Sequence, residues 1–236
     1  SLANVVPYIT SKLTQFIAND LMRPIIAQQE SSFNIRDVMD QKKILLLKLA
    51  KGQIGELNSY LLGLLMVSKI YIATMSRSSA ENFRDLPHFY LYIDEFQNFT
   101  TKSISDILSE ARKYKLNLIL AHQFIKQIKD ESIRNAIFGN AGTYVTFRVG
   151  PEDAEYLQKL YEPVFTANDI MNVEAFNSYI SLMVDQTNVR PFSLNHYKDQ
   201  ASIHRDPKLA DAIIQLSRLK YGRDRRIVEE EIRQRA

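Results

Sequence analysis

Two short apolar runs in the middle of the chain each end in polar residues. Phe89–Ile93 reads FYLYI and is followed at once by Asp94 and Glu95. Leu116–Ala121 reads LNLILA and leads, after one histidine, to Gln123. Runs rich in aromatic and branched aliphatic residues favour buried strands. The pattern therefore predicts two interior strands that deliver polar side chains at their carboxyl ends.

The segment between these two runs has the spacing of a helix. Apolar residues recur at intervals of three or four over Ile104–Ala111, and Thr100 or Thr101 can cap the first turn. A strand, a crossover helix and a second strand form a βαβ unit with parallel strands. Ligands bind such sheets at the carboxyl ends of the strands. We therefore expect the polar residues at the two strand ends to lie together at one edge.

Further elements are predicted on both sides of this unit. Ile44–Ala50 (ILLLKLA) reads as a short buried strand and Gly55–Met75 as a long apolar helix with little polar face. Thr143–Val149 reads as another strand, and Ser178–Val184 with Val189–Leu194 as a hairpin. The predicted fold class is α/β, with a mostly parallel sheet flanked by helices.

Composition limits the class of protein without identifying it. The 236 residues are 45% hydrophobic and 24% charged, as in ordinary globular domains. A net charge of +3 is too small to indicate nucleic acid by itself. The absence of cysteine excludes disulfides and thiolate metal sites, and the four histidines lack metal-ligand spacing. The longest strongly apolar stretch, Tyr60–Val67, is far shorter than the ~20 residues of a membrane span.

The acidic pair after the first strand is typical of the second nucleotide-binding motif of P-loop ATPases. In that motif the first acid holds Mg²⁺ directly or through water, and the next orients or deprotonates the attacking water. A buried strand that ends in two solvated acids is the alternative. The phosphate loop itself, G-x-x-x-x-G-K-[ST], does not occur in the sequence. Lys51–Gly55 (KGQIG) has its lysine before the glycines and reads as a strand-to-helix turn.

YIDEFQNF followed by SEARKYKLNLILAHQF resembles the catalytic core of the HerA–FtsK group of DNA-pumping ATPases, most of all the conjugative coupling proteins and type IV secretion ATPases. These are RecA-like P-loop motors that work as hexameric rings. The resemblance implies that Asp94 completes an Mg²⁺ site, Glu95 activates water and Gln123 senses the γ-phosphate of ATP. Arg112 and Arg148 are competing candidates for an arginine finger. For Arg112 the alternative is a cation that stabilises a helix end.

The resemblance also implies a domain organisation and partners. Residues 1–200 are expected to be the C-terminal portion of a RecA-like nucleotide-binding domain without its P-loop segment, and residues 201–236 a charged helical tail. The implied partners are DNA, further copies in a ring of six, and membrane-associated secretion components. The implied location is the cytoplasm, at the inner face of the membrane. As a fragment of a longer ATPase subunit, the chain is expected to be inactive alone.

Two alternatives remain open from the sequence. The chain can be a stand-alone α/β module that kept the fold and lost the activity, and that serves in assembly or DNA binding. It can also be an unrelated α/β binding domain whose acidic pair is merely a strand end.

Overall fold

The computed structural model describes residues 19–100, 102–185, 187–196 and 206–235. These residues form two compact units. One unit consists of the residues before Ile70 together with those from Asp206 onward, and the other is Ile70–Arg205. The boundary predicted near residue 200 falls within 197–205, outside the described residues.

The described part of the chain alternates helices with short strands. Its α-helices are α1 (Arg23–Ile26), α2 (Ile35–Asp40), α3 (Lys51–Ile54), α4 (Glu56–Met75), α5 (Lys102–Glu110), α6 (Glu131–Asn140), α7 (Pro151–Gln158), α8 (Ala167–Met171), α9 (Pro207–Tyr221) and α10 (Arg225–Arg233). Its strands are β1 (Phe89–Ile93), β2 (Leu116–Leu120), β3 (Tyr144–Thr146), β4 (Asn177–Ser181), β5 (Met183–Val184), β6 (Thr187–Asn188) and β7 (Phe192–Asn195). Short 3₁₀ helices lie at Ser76–Ser79, Phe83–Asp85, Phe96–Phe99, Ala111–Tyr114 and Ile125–Gln127.

The predicted βαβ unit is present. Strands β1 and β2 pair in parallel, from Phe89 opposite Leu116 to Ile93 opposite Leu120, and α5 with the 3₁₀ helix after it makes the crossover. The core of this unit is formed by buried residues of the strands, the helix and the turn after β1: Ile93, Phe96, Ile104, Ile107, Ala111 and Leu116. On β1, the alternate side chains remain exposed. The described residues thus cover one face of β1 more than the other.

The predicted parallel pairing is present only between β1 and β2 among the described residues, and the other two described sheets are antiparallel. Strand β3 pairs antiparallel with β4, and β4 pairs antiparallel with β7. The predicted hairpin is confirmed, with β5 and β6 closing it near Asp185. The connection between β4 and β7 is too short for the crossover that a parallel pair needs, so the strands must run in opposite directions.

The predicted buried strand at Ile44–Ala50 is not observed. No described strand pairs with these residues, and Ile44 and Leu46 are 87% and 82% exposed. A strand needs a neighbour for its main-chain hydrogen bonds and its apolar side chains. Strand propensity alone therefore does not create one here.

The long helix after Gly55 is confirmed as α4, but it is less buried than predicted. Val67 and Ile70 are buried, whereas Leu57 and Ile72 are 51% and 67% exposed. By length and composition alone, Glu56–Ser79 could cross a membrane, although the sequence pattern indicated no span. Of its most apolar stretch of 18 residues, 28% is buried. Core helices of soluble proteins pass the same test.

The helix α10 packs within its own unit. Arg23 of α1 donates to Oε2 of Glu229 at 2.6 Å, and Arg225 donates to the carbonyl of Asp20 at 2.9 Å. Val228 is only 2% exposed beneath these contacts. The charged segment after Asp224 is therefore folded onto the unit by ion pairs and an apolar residue.

Candidate functional site

Asp94 and Glu95 lie in a tight turn directly after β1. Glu95 has left-handed backbone dihedrals, φ 49° and ψ 42°, which a residue with a side chain rarely adopts. Its N–H donates to Oδ1 of Asp94 at 2.9 Å, and the side-chain amide of Asn98 donates to its carbonyl at 3.1 Å. Asp94 is exposed, whereas Glu95 is half-buried. The turn thus holds the backbone of Glu95 by hydrogen bonds from its own N–H to Asp94 and from Asn98 to its carbonyl.

The strand ends bring Gln123 to Glu95 as the sequence predicted. Pairing continues beyond the strands, because Ala121 N–H donates to the carbonyl of Ile93 and Phe96 N–H donates to that of Ala121, both at 3.0 Å. Nε2 of Gln123 donates to Oε1 of Glu95 at 2.5 Å. Asp94, Glu95 and Gln123 therefore share one edge of the parallel pair.

A second amide on the same carboxylate was not predicted. Gln97, in the 3₁₀ helix after Glu95, donates from Nε2 to Oε2 of Glu95 at 2.6 Å. Each oxygen of the Glu95 carboxylate thus accepts one amide N–H. The only signal in the sequence was that Gln97 follows Glu95 by two residues. This spacing does not reveal the left-handed turn at Glu95 that brings the two side chains together.

His122 packs beneath the site without a charge of its own at neutral pH. Its ring meets the buried ring of Phe96 edge to face, with centroids 5.2 Å apart. Burial lowers the pKa of His122, because desolvation penalises the imidazolium. The nearby main chain of Phe124 and the charges of Asp153 and Glu95 oppose the decrease. The burial effect is larger, so the ring serves mainly as packing.

Neither candidate arginine joins this cluster within the described part of the chain. Arg112 lies in the 3₁₀ helix that immediately precedes β2, so it is at the opposite end of the strand pair. A strand of this length separates the two ends by roughly 15 Å. Arg148 follows β3 in the antiparallel sheet. Both side chains are exposed, and neither forms a hydrogen bond or ion pair with Asp94 or Glu95.

The site can contribute to Mg²⁺ binding but cannot enclose the ion. Among the described residues, no group of three or more His, Cys, Asp or Glu could hold a metal. Mg²⁺ typically takes only one or two carboxylates when phosphates and water complete its shell. Asp94 fits this role, because its second oxygen accepts no hydrogen bond from the described residues. Lys51–Ile54 forms a helical turn, and Lys51 pairs with Glu56 at 3.5 Å, so this segment is no phosphate loop.

Comparison with known proteins gives one family match. Residues 88–162 match a family model described as the TraM recognition site of TraD and TraG. The match covers about a third of the chain and includes the acidic turn and Gln123. No curated protein matches the sequence.

Among solved structures, the chain is similar to the plasmid coupling protein TrwB in complex with the non-hydrolysable GTP analogue GDPNP. The identity is 14% and the TM-score 0.57, over 77% of this chain and 47% of that chain. A second solved structure is the genome packaging NTPase B204 from Sulfolobus turreted icosahedral virus 2, in complex with AMPPCP. It is 16% identical over 71% of this chain and 73% of that chain. Its TM-score of 0.47 is too low to establish a common fold. The chain thus spans about half the length of the coupling protein whose fold it shares. The resemblance to conjugative coupling proteins is confirmed.

Proposed function

We propose that this chain, which resembles the conjugative coupling proteins, supplies the acidic and sensor residues of the nucleotide site in an ATP-driven motor that moves DNA or DNA with attached protein. The observation that supports this proposal best is the contact of Gln123 with Glu95, beside Asp94, at the carboxyl edge of the parallel pair. Separate strands deliver an acid pair and an amide to one point there. A solvated strand end would not require that convergence.

Each residue has a distinct task in this proposal. Asp94 uses its unbonded oxygen as a ligand of Mg²⁺, directly or through water. Mg²⁺ bound there with ATP would neutralise part of the negative charge of the phosphates. Glu95 orients the attacking water and accepts its proton. Gln123 donates to the γ-phosphate and so reports whether that phosphate is present.

The hydrogen bond between Gln123 and Glu95 makes the two tasks interdependent. While Gln123 donates to Oε1, that oxygen is partly occupied and the amide is held away from a phosphate. Reorientation of Gln123 to the γ-phosphate frees Oε1 for water. The arrangement in which Gln123 is bonded to Glu95 then corresponds to the site before a γ-phosphate is bound.

The remaining parts of the motor must come from elsewhere. The sequence holds no phosphate loop, so that loop is supplied by another segment or subunit. We propose a ring of six subunits in the cytoplasm, at the inner face of the membrane, in contact with secretion components. In that ring, Arg112 lies at the edge opposite Glu95 and could reach only the site of a neighbouring subunit.

The test compares Glu95→Gln with Glu155→Gln in the complete gene product. Glu155 is an exposed carboxylate of α7 and serves as the matched control. We expect Glu95→Gln to bind Mg²⁺·ATP with unchanged affinity. Its turnover rate should fall by a factor of roughly 10² to 10⁴, since that is the usual contribution of a general base. Full turnover in Glu95→Gln would refute the role of Glu95.

A calorimetric titration of this chain alone with Mg²⁺·ATP tests the missing phosphate loop. We expect no binding up to millimolar nucleotide. Micromolar binding would reveal a phosphate site within these residues and would contradict the need for another segment.

A second candidate function is the recognition of an accessory protein of DNA processing. It is favoured by the family model over 88–162, which is described as a TraM recognition site. Under this proposal the chain is an assembly module whether or not it hydrolyses ATP. A titration of the purified chain with purified TraM tests this function, and absence of binding would exclude it.

A further inference from the structure

We infer that Gln97 is a positioning residue, which holds the Glu95 carboxylate when Gln123 leaves it for a bound phosphate. This inference rests on the proposed role of Glu95 as the base that activates water. The two amides occupy different oxygens of the carboxylate, Gln123 at Oε1 and Gln97 at Oε2. If Gln123 departs, the bond from Gln97 remains to fix the orientation of the carboxylate.

The backbone that carries Gln97 is anchored on both sides. Phe96, the residue before it, is 1% exposed and bonds through its N–H to the carbonyl of Ala121 at 3.0 Å. The hydroxyl of Thr100 donates to the carbonyl of Gln97 at 3.3 Å. Gln97 therefore donates from a fixed turn, as precise orientation of a reacting group requires.

The two amides differ in burial. Gln123 is exposed at the start of the loop after β2 and has room to turn. Gln97 is half-buried, and its Oε1 is buried without a hydrogen-bond partner among the described residues. Gln97 is thus suited to remain in place while Gln123 moves.

The direction of the Gln97 amide follows from the charge it faces. An amide turned by 180° would place its oxygen against the carboxylate of Glu95, where two acceptors repel each other. The observed direction instead leaves the Gln97 oxygen unsatisfied in the interior, which is unfavourable. The bond to Glu95 is thus the interaction that fixes the amide.

The first test follows the side-chain amide protons of this chain by nuclear magnetic resonance. The signals of Gln97 are assigned by their loss in Gln97→Met, which keeps the length of the side chain and removes the donor. We expect the Gln97 amide to exchange with water several-fold more slowly than that of Gln53, an exposed glutamine of α3. Glu95→Ala should abolish this protection. Exchange as fast as that of Gln53, or no response to Glu95→Ala, would overturn the inference.

The second test measures turnover in the complete gene product. We expect Gln97→Met to lower kcat about tenfold while the Kd of a non-hydrolysable ATP analogue stays within about twofold. The matched control, Gln53→Met, should leave both unchanged. A merely structural role would instead lower nucleotide affinity and thermal stability together, and an unchanged kcat would exclude positioning.

The two tests separate this inference from the proposed function. A wild-type gene product that neither binds nor hydrolyses ATP would refute the proposed function and, with it, the catalytic purpose of Gln97. The exchange measurement would still decide whether Gln97 holds Glu95.

Discussion

Gln123 reaches Glu95 across the end of two parallel strands, with Nε2 and Oε1 2.5 Å apart. The residues are 28 positions apart in the sequence, and the crossover helix α5 lies between them. Their meeting depends on the parallel register of β1 and β2, because Ile93 and Leu120 face each other as the last pair. A register shift of one residue would turn the side chains to the opposite faces.

Replacement of Gln123 tests the sensor. In the complete gene product we expect Gln123→Met to lower kcat by about 100-fold and to change the Kd of an ATP analogue little, because its donor acts on a phosphate charge that grows during hydrolysis. A coupled ATPase assay and a fluorescent-analogue titration measure the two quantities. Lost affinity with unchanged kcat would show a ground-state binding role instead.

Replacement of Arg77 tests how the opposite end of the strand pair is held. Arg77 is fully buried, and its guanidinium donates to the carbonyls of Pro87 at 2.7 Å and Tyr114 at 3.1 Å. Arg77→Met leaves these carbonyls without that donor, so we expect a loss of about 3 kcal/mol in the free energy of unfolding. Urea unfolding followed by circular dichroism measures it. Arg84→Met, at an exposed position, should change it by less than about 0.5 kcal/mol.

Replacement of Tyr161 tests a buried hydroxyl network. The Tyr161 side chain is fully buried, and its hydroxyl donates to Oγ1 of Thr146 at 2.6 Å. Tyr161→Phe should lower the free energy of unfolding by about 1 to 2 kcal/mol. Tyr92→Phe, at a position 72% exposed, is the control and should have little effect.

The same tyrosine should make the fold sensitive to alkali. Burial raises the pKa of Tyr161 above its usual value of 10.0. The unfolded chain therefore loses this proton at lower pH than the folded chain. The stability contribution is complete below pH 10.0 and is lost as the pH rises through the folded pKa. Tyr161→Phe should show a smaller decrease in the urea midpoint above pH 10.0, and an equal decrease would contradict the assignment.

Replacement of His122 tests the packing beneath the site at acid pH. Burial lowers the pKa of His122 below 6.5, so the unfolded chain binds this proton more readily. Its stability contribution is complete above pH 6.5 and is lost as the pH falls through the folded pKa. We expect the urea midpoint to drop below pH 6.5 in wild type and to drop less in His122→Leu. His88→Leu, at an exposed histidine, should retain the wild-type dependence.

The sequence by itself determined the central βαβ unit and most of the candidate site. The apolar run Phe89–Ile93, the helical spacing after it and the second apolar run are local patterns, and the crossover rules leave one arrangement for them. That arrangement places Asp94 and Glu95 beside Gln123. The hairpin from β4 to β7 was also predictable from local sequence, because two strands joined by a short connection can pair only antiparallel.

Tertiary structure decided the features that depend on a pairing partner distant in the sequence or on one unusual backbone dihedral angle. Ile44–Ala50 has the composition of a strand, yet no described strand pairs with it. The direction of β3 follows from its pairing with β4. Gln97 reaches Glu95 because the backbone at Glu95 is left-handed, which no residue type there signals. Strand pairing and burial are properties of residues brought together by folding. A local pattern can therefore predict only those elements whose hydrogen bonds and apolar contacts are made with residues nearby in the sequence.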